Sequence, residues 1–196
     1  MWQIRLVREP VLTGREAGKG GVGLAPEQEV RLRRLLAAAG LAVGRLRRVD
    51  VTSDETFAPL GESLFWLAAI GDLVGGSVDG YRQTRVLHKV GATLPGLIYA
   101  RDQITHGAGI TGMTRQYWGA SPLWLGESRL GSPPEQWWLS RADRPKAGRA
   151  KQVGRECYYT HLGGRPVVPT LEAALEYLRE VVATSTEERG GRSSID

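Results

Sequence analysis

Residues 52–76 read TSDETFAPLGESLFWLAAIGDLVGG. Thr52-Ser53-Asp54-Glu55 is a capping-box pattern, in which a hydroxyl and a carboxylate three residues apart satisfy the free amides of a helix start. Behind it, Phe57, Leu60, Leu64, Leu67 and Val74 recur at helical spacing, and Phe65, Trp66, Ala69 and Leu73 widen the apolar face. A face that broad is expected to pack against more than one helix. Gly75-Gly76 closes the pattern. The stretch therefore predicts the central helix of a mainly α fold.

On its N-terminal side, residues 1–24 are glycine-rich after a short apolar run at 2–7. Gly18-Lys19-Gly20-Gly21 lacks the Gly-x-x-x-x-Gly-Lys-Ser/Thr spacing that wraps a phosphate, so it reads as a turn. Pro26 suits the first position of a helix. Leu32, Leu35, Leu36 and Ala39 give its stripe, with the end expected at Gly40.

On the C-terminal side, Val86, Val90, Leu94 and Leu97 continue the helical rhythm from about residue 81 to 105. Pro95 interrupts it by removing a backbone donor, which predicts a kink or two abutting helices with Pro95 near the start of the second. His106-Gly107 reads as a helix end. Residues 107–169 then change character: glycine, proline and four tryptophans (Trp118, Trp124, Trp137 and Trp138) replace helical periodicity. Short strands or loops pinned by aromatics are expected there. A last helix is capped by Thr170 and striped by Leu171, Ala174, Leu175 and Leu178, and residues 184–196 read as a flexible tail.

The length of 196 residues fits one domain with an elaboration. We expect a single domain over 1–183, with a helical core of about 26–107 plus 170–183 and a loop-rich insertion at 108–169. The hydrophobic share of 41% and charged share of 24% exclude wholesale disorder. No uninterrupted apolar run approaches the roughly 18 residues of a membrane span, and the first residues lack the apolar core of a signal peptide. A single cysteine, Cys157, excludes an internal disulfide and a multi-cysteine zinc site. A cytoplasmic protein is the expectation.

The formal net charge of +5 favours polyanionic partners. Residues 31–48 hold six arginines and no acid. Residues 141–165 hold Arg141, Arg144, Lys146, Arg149, Lys151, Arg155 and Arg165 against Asp143 and Glu156. The rest of the chain is net acidic, so the charge is concentrated in two segments. Tyr158 and Tyr159 lie in the second and offer faces on which unpaired bases could stack.

His88, His106 and His161 form no His-x-x-x-His pair and join no carboxylate cluster, so neither a metal nor another cofactor is expected. Cys157, beside two tyrosines, reads as a semi-buried thiol and not as a nucleophile. The segment 98–107, IYARDQITHG, is the one with chemistry in it. Asp102 and His106 are four apart and share a helical face, where the carboxylate can fix the imidazole tautomer and leave the other nitrogen for proton transfer. Arg101 lies about 140° round an ideal helix from His106. The two converge only if the helix unwinds near 105–107 or if a second subunit completes the site.

Arg101-Asp102-x-x-x-His106-Gly107, after two apolar helices, resembles the Arg-(Asn/Asp/His)-x-x-x-His motif of the HEPN superfamily (higher eukaryotes and prokaryotes nucleotide-binding). The resemblance covers roughly residues 53–110 and extends toward the last helix. It departs from the family's pattern in the tryptophan- and glycine-rich insertion and in the aspartate where asparagine is common. It implies a HEPN-like helical bundle and a metal-independent endoribonuclease that leaves a 2′,3′-cyclic phosphate. It also implies a homodimer with two motifs facing one cleft, and a toxin or antiviral-defence setting with an antitoxin or other partner protein. In that frame His106 transfers the proton, Arg101 clamps the phosphate and Asp102 orients the imidazole. Arg141, Arg144, Lys146, Arg149, Lys151, Tyr158 and Tyr159 would hold the RNA. The other reading is a non-catalytic helical module that binds nucleic acid or a partner protein through its basic segments.

Overall fold

A computed structural model describes residues 24–51, 53–105, 111–113, 136–140 and 152–192. The fold is mainly α, as the periodicities imply. In chain order it has α1 (Pro26–Leu46), α2 (Phe57–Ser77), α3 (Tyr81–Arg85), α4 (Leu94–Thr105), β1 (Thr111–Met113), β2 (Gln136–Trp138), α5 (Gln152–His161) and α6 (Val167–Arg192). Single 3-10 turns at Asp54–Thr56 and Gly91–Thr93 lead into α2 and α4.

α2 is the hub, packing on α1, α4 and α6. Leu60, Leu64, Leu67, Ile70 and Val74 are buried along it, while Phe57 and Phe65 at the margins of its broad face stay largely exposed. Its run-in is capped by Ser53, whose hydroxyl accepts the Glu55 amide at 3.1 Å. By length and composition Asp54–Ser77 would also suffice to cross a membrane, but half of its most apolar window is buried among the other helices.

α1 starts as expected, with Pro26 in its first turn and the Gln28 side chain accepting the Ala25 amide at 3.0 Å. It does not stop at Gly40 but runs one and a half turns further. A Cβ on Gly40 would come within 3.2 Å of the Arg179 guanidinium and 3.8 Å of Leu175. The glycine serves the approach of α6 there, and does not break the helix.

The expected 81–105 helix is divided. α3 ends at Arg85, and the chain turns through 86–90 with Val86 and Leu87 exposed. Pro95 then sits in the first turn of α4, the second of the two arrangements predicted. β1 and β2 form the antiparallel pair Thr111↔Trp138, Gly112↔Trp137 and Met113↔Gln136.

α5 is the element that the sequence pattern does not announce. Tyr158 is its one buried residue, so it has no apolar stripe to read. Backbone proximity docks it instead. A Cβ on Gly96 of α4 would meet the Tyr158 backbone at 2.9 Å, and one on Gly154 of α5 would meet the Pro95 carbonyl and Tyr99 Cβ at 3.2 Å. Two glycines thus let two helices cross almost in contact. Around the crossing, Tyr158 packs against Tyr99, Trp138 and Tyr159, with ring centroids 5.7, 6.2 and 5.3 Å away. Gly164, at φ 75°, reverses the chain after α5. The turn brings the Arg165 carbonyl to the Trp138 amide at 3.0 Å.

α6 begins at Val167, three residues before its expected cap. The Thr170 hydroxyl donates to the Pro166 carbonyl at 2.6 Å and so lies inside the helix. Leu171, Ala174, Leu175 and Leu178 are buried as the stripe requires. The helix also continues through the start of the expected tail to Arg192. The hydroxyls of Thr184, Ser185 and Thr186 donate to carbonyls four residues back, at 3.0, 2.7 and 3.0 Å, which accommodates a polar run in a helix.

Candidate functional site

The C-terminal part of α4 carries the two described members of the motif. Tyr99 and Ala100 are buried and fix the rotation of the helix, with Tyr99 in the aromatic cluster at the crossing with α5. Arg101 and Asp102 follow on the outer side, with side chains 28% and 17% exposed. Arg101 donates from Nε and Nη2 to Oδ1 of Asp102, at 3.2 and 2.9 Å. Thr105 closes the turn, its hydroxyl donating to the Arg101 and Asp102 carbonyls at 3.0 and 2.9 Å.

This arrangement gives Asp102 a partner that the spacing argument did not assign to it. The structure engages Asp102 with Arg101; the pairing with His106 that the spacing predicts lies outside the described residues. Chemically, the carboxylate aims a planar guanidinium and leaves it part-exposed, a geometry suited to an anion. His106 lies outside the described residues, as do Arg141, Arg144, Lys146, Arg149 and Lys151.

Of the two tyrosines assigned to base stacking, Tyr158 is corrected by its burial. It is 0% exposed and its ring is packed among Tyr99, Trp138 and Tyr159, so no base can reach it. Tyr159 is partly buried and packs against the core. The misreading has a plain cause: an aromatic among arginines looks like a binding platform until the helix that buries it is known. Cys157, next to it, is half-buried, and burial pushes its thiol up from the ordinary range. A thiol held protonated is a poor nucleophile.

The first basic segment is fully described. All six of its arginines are exposed on α1 and just beyond it. Arg33 pairs with Glu29, Arg45 with Glu62, and Arg47 with Glu172 at 3.5 Å. Arg31, Arg34 and Arg48 make no ion pair among the described residues. Beside this row Leu41, Phe65 and Trp66 line an open groove between α1 and α2. Among the described residues no three of His, Cys, Asp and Glu gather as a metal site.

Comparison with protein-family models, with curated proteins and with solved structures finds no match to this chain.

Proposed function

We propose that this protein is a metal-independent endoribonuclease of the HEPN type. The observation that supports the reading best is the Arg101–Asp102 pair, a carboxylate-aimed and part-exposed guanidinium near the end of α4, with His106 four residues beyond Asp102 in the sequence. In the proposed reaction the RNA 2′-oxygen attacks the adjacent phosphorus and the 5′-oxygen departs. The proton leaves the 2′-hydroxyl and a proton reaches the leaving 5′-oxygen, which yields a 2′,3′-cyclic phosphate and a 5′-hydroxyl. His106 carries out proton transfer. Arg101 offsets the charge that builds on the non-bridging oxygens, and Asp102 holds the guanidinium in place as well as the imidazole.

On this reading the chain acts as a homodimer in the cytoplasm, with RNA as substrate and an antitoxin or defence-system protein as a further partner. Two copies supply the convergence of Arg101 and His106 that one regular helix denies. The exposed Leu41 and Phe65 beside Trp66 offer an apolar surface that could join them. The basic segment at 141–151 supplies affinity for RNA.

A second reading keeps the nucleic acid and drops the chemistry. It is favoured by the exposed arginine row of α1, in which Arg31, Arg34 and Arg48 stand without an acidic partner among the described residues.

An RNA cleavage assay in EDTA with wild type and His106→Ala separates the two. We expect wild type to generate 2′,3′-cyclic phosphate ends, and His106→Ala to lose about 10²–10⁴-fold in rate. RNA binding without cleavage by the wild type would favour the second reading.

A further inference from the structure

A second group of polar side chains lies away from Arg101, where α3 and the turn after it meet α6. Tyr81 is 3% exposed, and its hydroxyl is buried without a hydrogen-bond partner. The Arg85 guanidinium sits over the Tyr81 ring, its central carbon 5.7 Å from the ring centre. Its Nε is likewise buried without a partner, and Arg85 makes no ion pair among the described residues. The Arg85 side chain lies close enough to the Tyr81 phenol to act on it, yet neither buried atom makes a well-formed hydrogen bond, so both have capacity for an acceptor.

The opposite wall comes from α6. Tyr177 is 7% exposed. Its hydroxyl end lies against Gly91, where a Cβ would come within 2.9 Å of it and 2.4 Å of the Arg85 carbonyl, so only glycine fits between them. His88 stacks on Tyr177 with centroids 4.6 Å apart and planes inclined by 21°. The His88 Nδ1 accepts the backbone amides of Val90 and Gly91, both at 3.3 Å. The ring proton of the neutral imidazole must then be on Nε2, which is left as a donor.

These groups share a chemistry. Burial pushes the Tyr81 phenol up to about 12, with Tyr177 adding to the rise and Arg85 opposing it, so it stays a hydroxyl donor at neutral pH. Burial also raises Tyr177, again opposed by Arg85. One guanidinium thus acts on both phenols. Around them residues 81–89, YRQTRVLHK, add Arg82 and Lys89 and contain no acid. Glu156 flanks the cluster on α5 next to Cys157, whose thiol Arg85 also influences. A fork-shaped cation, two hydroxyls and an imidazole N–H are matched by an anion with several oxygens.

We propose that Tyr81, Arg85, His88 and Tyr177 form a phosphate-binding site, which takes the phosphoryl group of a free nucleotide or of an RNA strand. The site is independent of the ribonuclease reading. Its partners are the four side chains above, and the stacked His88–Tyr177 pair gives it an aromatic wall beside the phosphate. It binds and does not turn over its ligand.

The test is calorimetric titration of the full chain with inorganic phosphate, with a nucleoside monophosphate and with a short single-stranded RNA, using wild type, Arg85→Gln and Tyr81→Phe. We expect wild type to bind at least one of the three, and each substitution to weaken that binding about 10-fold or more. Tyr81→Phe removes a buried orphan hydroxyl, so the unliganded variant should melt no lower than wild type while losing the phosphate-induced rise in Tm. It therefore carries the test even if Arg85→Gln does not fold. Binding of the monophosphate identifies a free nucleotide as the source, and binding of RNA alone identifies the strand; either supports the site. Absence of binding to all three, or unchanged affinity in Tyr81→Phe, would overturn it. Cleavage by wild type and His106→Ala is read separately, so failure here leaves the ribonuclease reading intact.

Discussion

Arg101 and Asp102 are chain neighbours that bind one another, with two guanidinium nitrogens of the first donating to one carboxylate oxygen of the second. Consecutive residues on a helix point about 100° apart, so the contact is made by the long arginine side chain bending back. The carboxylate thereby sets the direction of the fork. On the proposed mechanism that direction matters more than the charge.

Arg101→Lys should accordingly be nearly as damaging to RNA cleavage as Arg101→Ala. Lysine keeps the charge and loses the planar pair of donors. Single-turnover cleavage by both variants is the measurement. Recovery of most of the rate by lysine would reduce Arg101 to a point charge.

The protein should sediment as a dimer at micromolar concentration, and Leu41→Glu with Phe65→Glu should convert it to a monomer. Both side chains are exposed, 68% and 53%, and line the same groove. Neither supports the core, so the double variant should keep its helical circular dichroism. A wild-type monomer active on RNA would contradict the shared cleft.

Replacing Arg144, Lys146, Arg149 and Lys151 by alanine should weaken RNA binding and flatten its dependence on salt, because phosphate contacts release counterions. Cleavage at saturating RNA should change little. Unaltered affinity and salt slope would make the segment ordinary surface. Tyr158 is left out of this set: its removal would act through the core.

Gly96→Ala should destabilise the fold by about 1–3 kcal/mol, the range for overpacking a tight contact. The obstacle is the Tyr158 backbone, 2.9 Å from the new Cβ, which cannot rotate away as a side chain can. Denaturant unfolding measures it, with Gly44→Ala, where a Cβ meets nothing within 4 Å, as the control.

The parts of the fold that are legible in the sequence are those governed by apolar repetition. The stripes of α1, α2 and α6 predict Leu32, Leu64, Leu67 and Leu171 as core, and all are buried. Positions where backbone geometry decides are not legible in this way. Gly40 reads as a stop and is a packing position; α5 has no stripe because its contact with α4 is made by Gly96 and Gly154. At the candidate site the spacing singles out Arg101 and Asp102 but does not announce their contact, since helical spacing carries no information about a side chain folding onto its neighbour. The Tyr81–Arg85–His88–Tyr177 group has no motif at all. It joins residues nearly a hundred positions apart, and its signal is the unmet hydrogen-bonding capacity seen only after folding.

The packing of α6 against α1 also bears on how the molecule is made. Gly40 meets Leu175 and Arg179, so the first described helix is completed by the last. Contacts so distant in the chain form late and slow the search for the native state. During synthesis from the N-terminus, α1 and α2 emerge long before the segment that covers them. Their apolar faces are then either open to the surroundings or shielded by other molecules, and the nascent chain depends on α6 to close them.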